Sequence, residues 1–375
     1  MRLFSDVASR VDDPYLAHAA MLAERGRGRT WPNPAVGCVV VRDGRVVGEG
    51  FHARAGEPHA EVLALANAGA AAQGADVYVT LAPCAHHGKT PPCTEALIAA
   101  GVSRVVIGMR DPNALATGGA EMLQAAGVAV EFAASPAPFE ELNAGWIKRL
   151  ATCSPLVVVK SGLSLDARVA LVQGRRASMT GSSGAEVTRR LRARCDAVLV
   201  SAATLIADNP ALTVRGADGI LAEQQPMRVV LVRQAIPHGD SRVFFDQAAP
   251  TLVLASDKAD DSVLASLPSG VRVERWGAVY GVRGALRALG TLGVGELLIE
   301  PGPRLFSALW KAGVIDKLVT VTAGGMGGDG APAVYSGDGD HQGNSLVARM
   351  RAQEAGIVGD VAVNVWGAVE RPDVA

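Results

Sequence analysis

Pro58-His59-Ala60-Glu61 and, beyond a strand-like run at 76–81, Pro83-Cys84-Ala85-His86-His87-Gly88-Lys89-Thr90-Pro91-Pro92-Cys93 decide the fold of the first third of this chain. One imidazole and two thiols at these positions form a three-ligand set for zinc, leaving its fourth tetrahedral position for water. Glu61, two residues after the imidazole, lies close to such a metal without binding it. There a carboxylate can take a proton from water and return it to a leaving amine. His-x-Glu followed by Pro-Cys and a second Cys is the signature of zinc deaminases. Both thiols are expected near helix N-termini, where amide dipoles favour the thiolate. The second Cys comes late, because an eight-residue polar insertion with two His and Lys89 separates the thiols. Beside the metal, that loop can hold a polar heterocycle bearing a phosphate; a solvated loop is the plain alternative.

Outward from this stretch the pattern alternates. A helix is expected over 14–25. A hairpin runs over 36–51 about the Asp43-Gly44 turn. A helix follows Pro58, then a strand at 76–81, a helix at 94–100 and a strand at 102–109. This predicts an α/β layer, antiparallel on one side and parallel elsewhere. A helix over 139–150 leads to a junction near 151–155. Eight further strands are expected at 156–160, 197–200, 228–232, 251–255, 271–275, 296–299, 318–322 and 361–365, with helices between several of them. At 375 residues, two domains are the natural division, 1–150 and 155–375.

Composition removes several classes of function. The 36 Lys and Arg against 37 Asp and Glu give a net charge of -1, and aromatics are 4%. Nucleic-acid and anionic-membrane binding need a basic surface, and single-stranded bases need stacking platforms. Five Cys are too few and too scattered for a disulfide framework. No run approaches a transmembrane span, and Met1 to Asp13 has no apolar leader core. The expectation is a soluble cytoplasmic protein in which Cys38, Cys153 and Cys195 are packing residues.

The segments Pro32-Asn33-Pro34-Ala35-Val36-Gly37-Cys38-Val39, His52 through Glu61, the whole 83–93 loop and Asp111-Pro112-Asn113 resemble the bifunctional riboflavin-biosynthesis deaminase/reductase family, over essentially the full chain. The resemblance implies a cytidine-deaminase-like three-layer α/β/α first domain. That domain would remove ammonia from 2,5-diamino-6-(5-phosphoribosylamino)pyrimidin-4-one. Glu61 would then be catalytic, His59, Cys84 and Cys93 would ligate Zn2+, and Asn33, His52, His86 and Lys89 would contact substrate.

Taken alone, the second half is less specific. Glu300-Pro301-Gly302-Pro303-Arg304-Leu305-Phe306-Ser307 follows a strand and opens a helix, which suits either a phosphate or a simple turn. Arg189, Arg190, Arg192 and Arg194 form a phosphate site or a solvated face. The resemblance implies a dihydrofolate-reductase-like α/β domain that uses NADPH to reduce the ribosyl group to a ribityl chain. Lys160 and Glu300 would serve hydride transfer, and Arg192, Leu212 and Arg215 would bind the substrate. Gly162, Thr204, Asp208 and the run Gly302, Pro303, Arg304, Leu305, Phe306, Ser307 and Ala308 would bind the cofactor. The implied partner is a phosphoribosylated pyrimidine, with neither nucleic acid nor membrane, acted on by a homo-oligomer.

Several positions depart from the family pattern. Asp166-Ala167-Arg168 stands for Asp-Gly-Lys or Asp-Gly-Arg, and Arg176-Ala177-Ser178 for Ser-x-Trp. Val232-Arg233 replaces an Asp-Ser pair, Asn209 a second Asp, and Gly324 a Pro. Two alternatives follow: a deaminase with a degenerate reductase domain, or a paralogue in a related pyrimidine-derived pathway.

Overall fold

The computed structural model describes residues 7–85, 92–113, 116, 118–169, 179–216, 218–234, 241–335 and 350–369. His86, Lys89 and Arg176 to Ser178 lie outside these residues. The chain divides between Thr152 and Cys153 into two compact units.

The first unit is built on five strands: β1 (Gly37–Arg42), β2 (Arg45–Phe51), β3 (Asp76–Leu81), β4 (Arg104–Met109) and β5 (Ala129–Phe132), in the order β2-β1-β3-β4-β5. The hairpin and the β1/β3 pair are antiparallel, and β3/β4 and β4/β5 are parallel. The helices are α1 (Pro14–Glu24), α2 (Ala60–Ala68), α3 (Cys93–Ala99), α4 (Gly119–Ala125), α5 (Ala137–Leu142) and α6 (Ala144–Thr152). Two glycines show which face each helix covers. A Cβ on Gly37 would lie 2.0 Å from the Ala19 carbonyl oxygen of α1, and one on Gly50 2.3 Å from the Ala60 carbonyl oxygen of α2. Gly50 pairs with Cys38, the neighbour of Gly37, so the two glycines point to opposite faces. Helices α1 and α2 therefore sandwich the sheet. Strands β1, β3 and β4 are consequently buried along almost their whole length instead of alternating.

The helix expected as one piece over 139–150 is two. Asn143 leaves helical geometry at φ -110° and ψ 16° because its side chain is engaged elsewhere. Helix α4 and strand β5 were not foreseen in the sequence.

The second unit carries nine strands: β6 (Leu156–Leu163), β7 (Ala197–Ser201), β8 (Met227–Val232), β9 (Thr251–Ser256), β10 (Val271–Trp276), β11 (Glu296–Ile299), β12 (Lys317–Ala323), β13 (Met350–Val358) and β14 (Val361–Ala368). Their order is β10-β9-β8-β7-β11-β6-β12-β14-β13, parallel from β10 through β12 and antiparallel for β14 and β13. Helices α7 (Gly181–Arg194), α8 (Ala202–Asp208), α9 (Arg242–Phe245), α10 (Asp261–Ala265), α11 (Gly281–Thr291) and α12 (Pro303–Ala312) connect them. Runs such as Leu156 to Val159 and Ala197 to Val200 are fully buried, as parallel strands covered on both faces require. Chain direction across the sheet reverses around β6, β11 and β7, and the crevice beyond the carboxyl ends of strands at such a switch point is where α/β sheets bind ligands.

The glycine-rich run after β12 is clasped rather than loose. The Asp166 carboxylate accepts from the N–H groups of Gly327 and Gly328, both at 2.8 Å. A Cβ on Gly327 would lie 2.6 Å from Arg168 Cβ, so no side chain fits there. Within the same turn Ala167, at the family's Gly position, stands at φ 57°. A left-handed Ala costs about 1–2 kcal/mol, and the entropy that Gly adds to the unfolded chain returns about half of this. Ala167→Gly is therefore expected to stabilise the second unit by about 0.5–1 kcal/mol, raising its thermal midpoint by about 2 °C. An unchanged or lower midpoint in calorimetry would remove the strain from this account.

Candidate functional site

His59 stands immediately before α2, in extended conformation, and Glu61 lies in that helix's first turn. Cys93 opens α3. Cys84, expected at a helix N-terminus, lies instead in the loop after β3, yet it receives the Cys93 N–H at 3.3 Å. The α3 N-terminus thus serves both thiols. His59 Nδ1 is 3.2 Å from Cys93 Sγ and 3.8 Å from Cys84 Sγ. Tetrahedral zinc with Zn–N about 2.1 Å and Zn–S about 2.3 Å separates N from S by about 3.6 Å, so the observed spacings bracket the requirement. All three donor atoms lie within 4.8 Å of one another, and among the described residues this is the cluster of metal-ligating groups. Hydrogen bonding from the Cys93 thiol, then from His59 and the Cys93 N–H, pulls Cys84 down to about 4, while the Cys84 thiolate pushes Cys93 up. Two sulfurs and an imidazole this close together are an arrangement that a divalent cation would neutralise. The donor set fits zinc.

Glu61 is 4% exposed, and burial raises its carboxyl above the ordinary range, against the opposing pull of its own backbone N–H and His59. Beneath it, Cys38 is fully buried, and its thiol is pushed up by burial first and by Glu61 second. His52 is also buried. Its Nδ1 lies 3.2 Å from the Pro58 carbonyl oxygen and its Nε2 3.2 Å from Asn33 Nδ2. A carbonyl can only accept, so Nδ1 carries the proton and Nε2 accepts from Asn33. Burial lowers the His52 pKa, which keeps the ring neutral. Its ring meets that of His59 edge-on at 5.5 Å. Asn33, His52, His59, Glu61, Cys84 and Cys93 thus come together on the β1–β2, α2 and α3 side of the first unit.

In the second unit the register Val159↔Ile299 sets Lys160, within β6, beside Glu300, which follows the carboxyl end of β11. Arg192 of α7 grips Glu300 with two hydrogen bonds, Nε to Oε1 at 2.6 Å and Nη2 to Oε2 at 2.9 Å, and donates from Nη1 to the Thr213 carbonyl at 3.2 Å. Burial would raise the Glu300 carboxyl, but Arg192 and Lys160 together hold it below the ordinary range. Burial and Arg192 lower the Lys160 ammonium against the pull of Glu300. The expected arginine cluster is split, because Arg189 and Arg190 pair with Glu186 at 2.6 Å each while Arg192 faces inward.

The N-terminus of α12 has Gly302 as its cap residue, with no side-chain hydrogen bond. A Cβ there would lie 3.4 Å from Thr204 Oγ1, so the first turn of α8 meets the turn after β11. At Gly162 a Cβ would lie 3.5 Å from Lys160 Nζ. Uncapped amides, a hydroxyl and two glycines beside a Lys at one strand-end crevice fit a phosphorylated dinucleotide. Not every expected residue faces this crevice. Leu305, Phe306 and Ser307 are buried in the core, and Arg304 and Ala308 are exposed on the opposite stripe. The Leu212 side chain is fully buried at φ 53° and offers a ligand only its backbone. Arg215 is exposed and donates to the Gly219 carbonyl at 2.8 Å. Asp208 ends α8, and Asn209 after it takes the left-handed cap at φ 39°, which Asn tolerates.

Residues 9–109 match the family model described as the cytidine and deoxycytidylate deaminase zinc-binding region, and residues 155–360 match the RibD C-terminal domain. Riboflavin biosynthesis protein RibD of Escherichia coli (strain K12) is 41% identical over 324 residues, covering 83% of this chain and 87% of that protein. RibD of Aquifex aeolicus (strain VF5) is 37% identical over 321 residues, covering 85% and 89%. A solved structure of Acinetobacter baumannii RibD, form 1, matches with TM-score 0.85 at 35% identity, covering 95% of this chain and 98% of that one. A diaminohydroxyphosphoribosylaminopyrimidine deaminase/5-amino-6-(5-phosphoribosylamino)uracil reductase from Thermotoga maritima matches with TM-score 0.83 at 31% identity, covering 95% and 98%. The fold is a cytidine-deaminase-like unit followed by a dihydrofolate-reductase-like unit.

Proposed function

The chain belongs to the RibD family of riboflavin biosynthesis proteins, with a zinc-binding deaminase domain and a reductase domain, and from that premise we propose which of its residues carry the two reactions. The substrate is a small pyrimidine, and neither a degenerate reductase nor a paralogous pathway draws support from these relatives. The finer reading takes 2,5-diamino-6-(5-phosphoribosylamino)pyrimidin-4-one as substrate of the first domain, residues 1–150, and its deaminated product as substrate of the second, residues 155–375. The observation that carries the first step is the buried Glu61 beside three converging ligands. His59, Cys84 and Cys93 would hold zinc, which when bound would supply an activated water and positive charge beside the amidine carbon. Glu61 takes a proton from the attacking water and passes it to the departing amine, so the C–N bond is exchanged for C–O and ammonia leaves. Neutral His52 and Asn33 orient the pyrimidine, with His86 and Lys89 as its further contacts.

In the second domain Gly162, Thr204, Asp208 and the α12 N-terminus from Gly302 would hold NADPH, which when bound would supply the hydride. As the hydride adds to the anomeric carbon, the bond from that carbon to the ring oxygen breaks; Lys160 delivers the accompanying proton to that oxygen, and Glu300 holds Lys160 in place. Arg192 fixes Glu300, and Arg215 with the Leu212 backbone receives the substrate. The five cysteines form no disulfide, which supports a cytoplasmic location. The edge strand β13, with Ile357 61% exposed, supports a homo-oligomer. No helix among the described residues is long and apolar enough to cross a membrane.

The zinc-loaded full chain is tested with the diaminopyrimidinone phosphoriboside, with and without NADPH. Ammonia is expected in both arms, and NADPH oxidation only where deamination has occurred. No ammonia with zinc fully loaded would leave a zinc-stabilised binding scaffold. No NADPH oxidation when deaminated product is supplied directly would remove the reductase assignment.

A further inference from the structure

Helices α5 and α6 lie beyond residues 9–109, the stretch matched by the zinc-binding family model, yet they reach back to the loop that carries Asn33. Asn143, 3% exposed between the two helices, accepts the Ala35 N–H through Oδ1 at 2.8 Å and donates through Nδ2 to the Ala35 carbonyl at 3.1 Å. A carboxamide bonded to both polar groups of one residue acts as an extra peptide unit and fixes that residue's position and orientation. Further along, Arg149 Nη2 donates to the Pro32 carbonyl at 2.9 Å. The two anchors bracket Asn33, whose own N–H is held by the Thr30 carbonyl at 2.9 Å and whose Nδ2 meets His52 Nε2.

Packing alone does not require this arrangement. Helix α5 is already anchored by the fully buried Phe139, whose ring would meet a Cβ on Gly108 at 2.8 Å, and by the buried Leu142. An apolar residue at 143 would continue the helix and bury more apolar surface, whereas a buried amide is tolerated only where both its hydrogen bonds are made.

We infer that Asn143 and Arg149 are positioning residues for deamination, setting the Asn33 carboxamide against the pyrimidine through the 32–35 backbone. This rests on the reading of Asn33 as a substrate contact. The deaminase site thereby extends to the last helices before the second unit.

A double-mutant cycle on the full zinc-loaded chain tests this, with steady-state ammonia release from the diaminopyrimidinone phosphoriboside, bound zinc and thermal midpoint measured for each variant. Asn143→Ala is expected to raise KM about tenfold, the worth of one or two well-placed hydrogen bonds, with kcat and zinc content close to wild type. Arg149→Ala is expected to raise KM about threefold. In an Asn33→Ala background neither substitution should raise KM further, because the group they position is gone. An unchanged KM in the single variants, or penalties that add to that of Asn33→Ala, would reduce both residues to packing. Should Asn143→Ala fail to load zinc, the cycle is read with Arg149→Ala, whose side chain lies at the rim. If the wild-type chain releases no ammonia, the assignment of the site falls and this inference with it. If wild type is active and Asn33→Ala raises KM, only the positioning role is at stake.

Discussion

Glu61→Gln is expected to lower the kcat for ammonia release by about 10^3-fold, the usual worth of a positioned acid–base group, while the chain still binds zinc. The substitution keeps the shape and removes the site's proton carrier. Glu61 is buried and backed by the buried Cys38, so solvent has no ready path to take over the transfer. The three ligands come from the start of α2, the loop after β3 and the start of α3, so the backbone elements place them. Reduction of supplied deaminated product serves as the internal control and should be unchanged. A fall of less than about tenfold would assign the proton transfer to another group.

Arg192→Ala should have the largest effect on stability. It leaves the Glu300 carboxylate buried without its two hydrogen bonds, and breaking one side of a buried pair costs about 3–5 kcal/mol. The side chains are 16% and 19% exposed, so solvent screening offsets little of this. Reduction of the ribosyl group should be lost with it, since Glu300 stands beside Lys160. Arg192→Lys should recover little, because a single ammonium cannot make the two-pronged contact. The pH dependence should change sign. In the wild-type protein Glu300 is held below the ordinary carboxylate range, so its contribution is present above the unfolded pKa and is lost as pH falls through the depressed folded value. In Arg192→Ala the burial effect dominates, the folded pKa rises above the unfolded one, and the second unit becomes less stable as pH rises through that window. Urea unfolding of the full chain at pH 5 and pH 8 checks both. A deficit in the variant equal at the two pH values would mean that Glu300 had found another partner.

What could be read from the sequence was what lies close together along it. His59, Glu61 and Cys93 announce themselves because Pro residues mark the two helix starts they occupy, and Cys84 because it follows Pro83 just after a plain strand. The buried strands of the second unit are equally plain as β-branched runs. Asn143 gave no such sign: its partner Ala35 is 108 residues away, and within its own helix it is an ordinary polar residue. Strand β13 escaped because the bulge between Ala352 and Glu354 breaks its alternation, so Met350–Val358 mixes Met, Ala and Ile with Arg, Gln and Glu at no single period. The arginines of α7 looked equivalent in sequence, and only the fold separates Arg192, turned toward Glu300, from Arg189 and Arg190, tied to Glu186. The glycine-rich run at 324–330 carries no local sign of its role, because Asp166, which holds Gly327 and Gly328, lies 161 and 162 residues away.

The sheet order of the second unit also bears on how the protein is made. In the first unit every strand from β2 to β5 pairs with one already synthesised, so the sheet can grow as the chain emerges. In the second, β7 to β10 likewise assemble in succession, but β6 precedes them and pairs only with β11 and β12. Its apolar run Leu156 to Val159 must wait, unpaired, for two strands still on the ribosome, which is the kind of long-range closure that is slow and exposed to misassociation. Lys160 lies in that waiting strand and meets Glu300 only at the closing step. The sheet of the first unit can therefore be complete while that of the second still waits for β11.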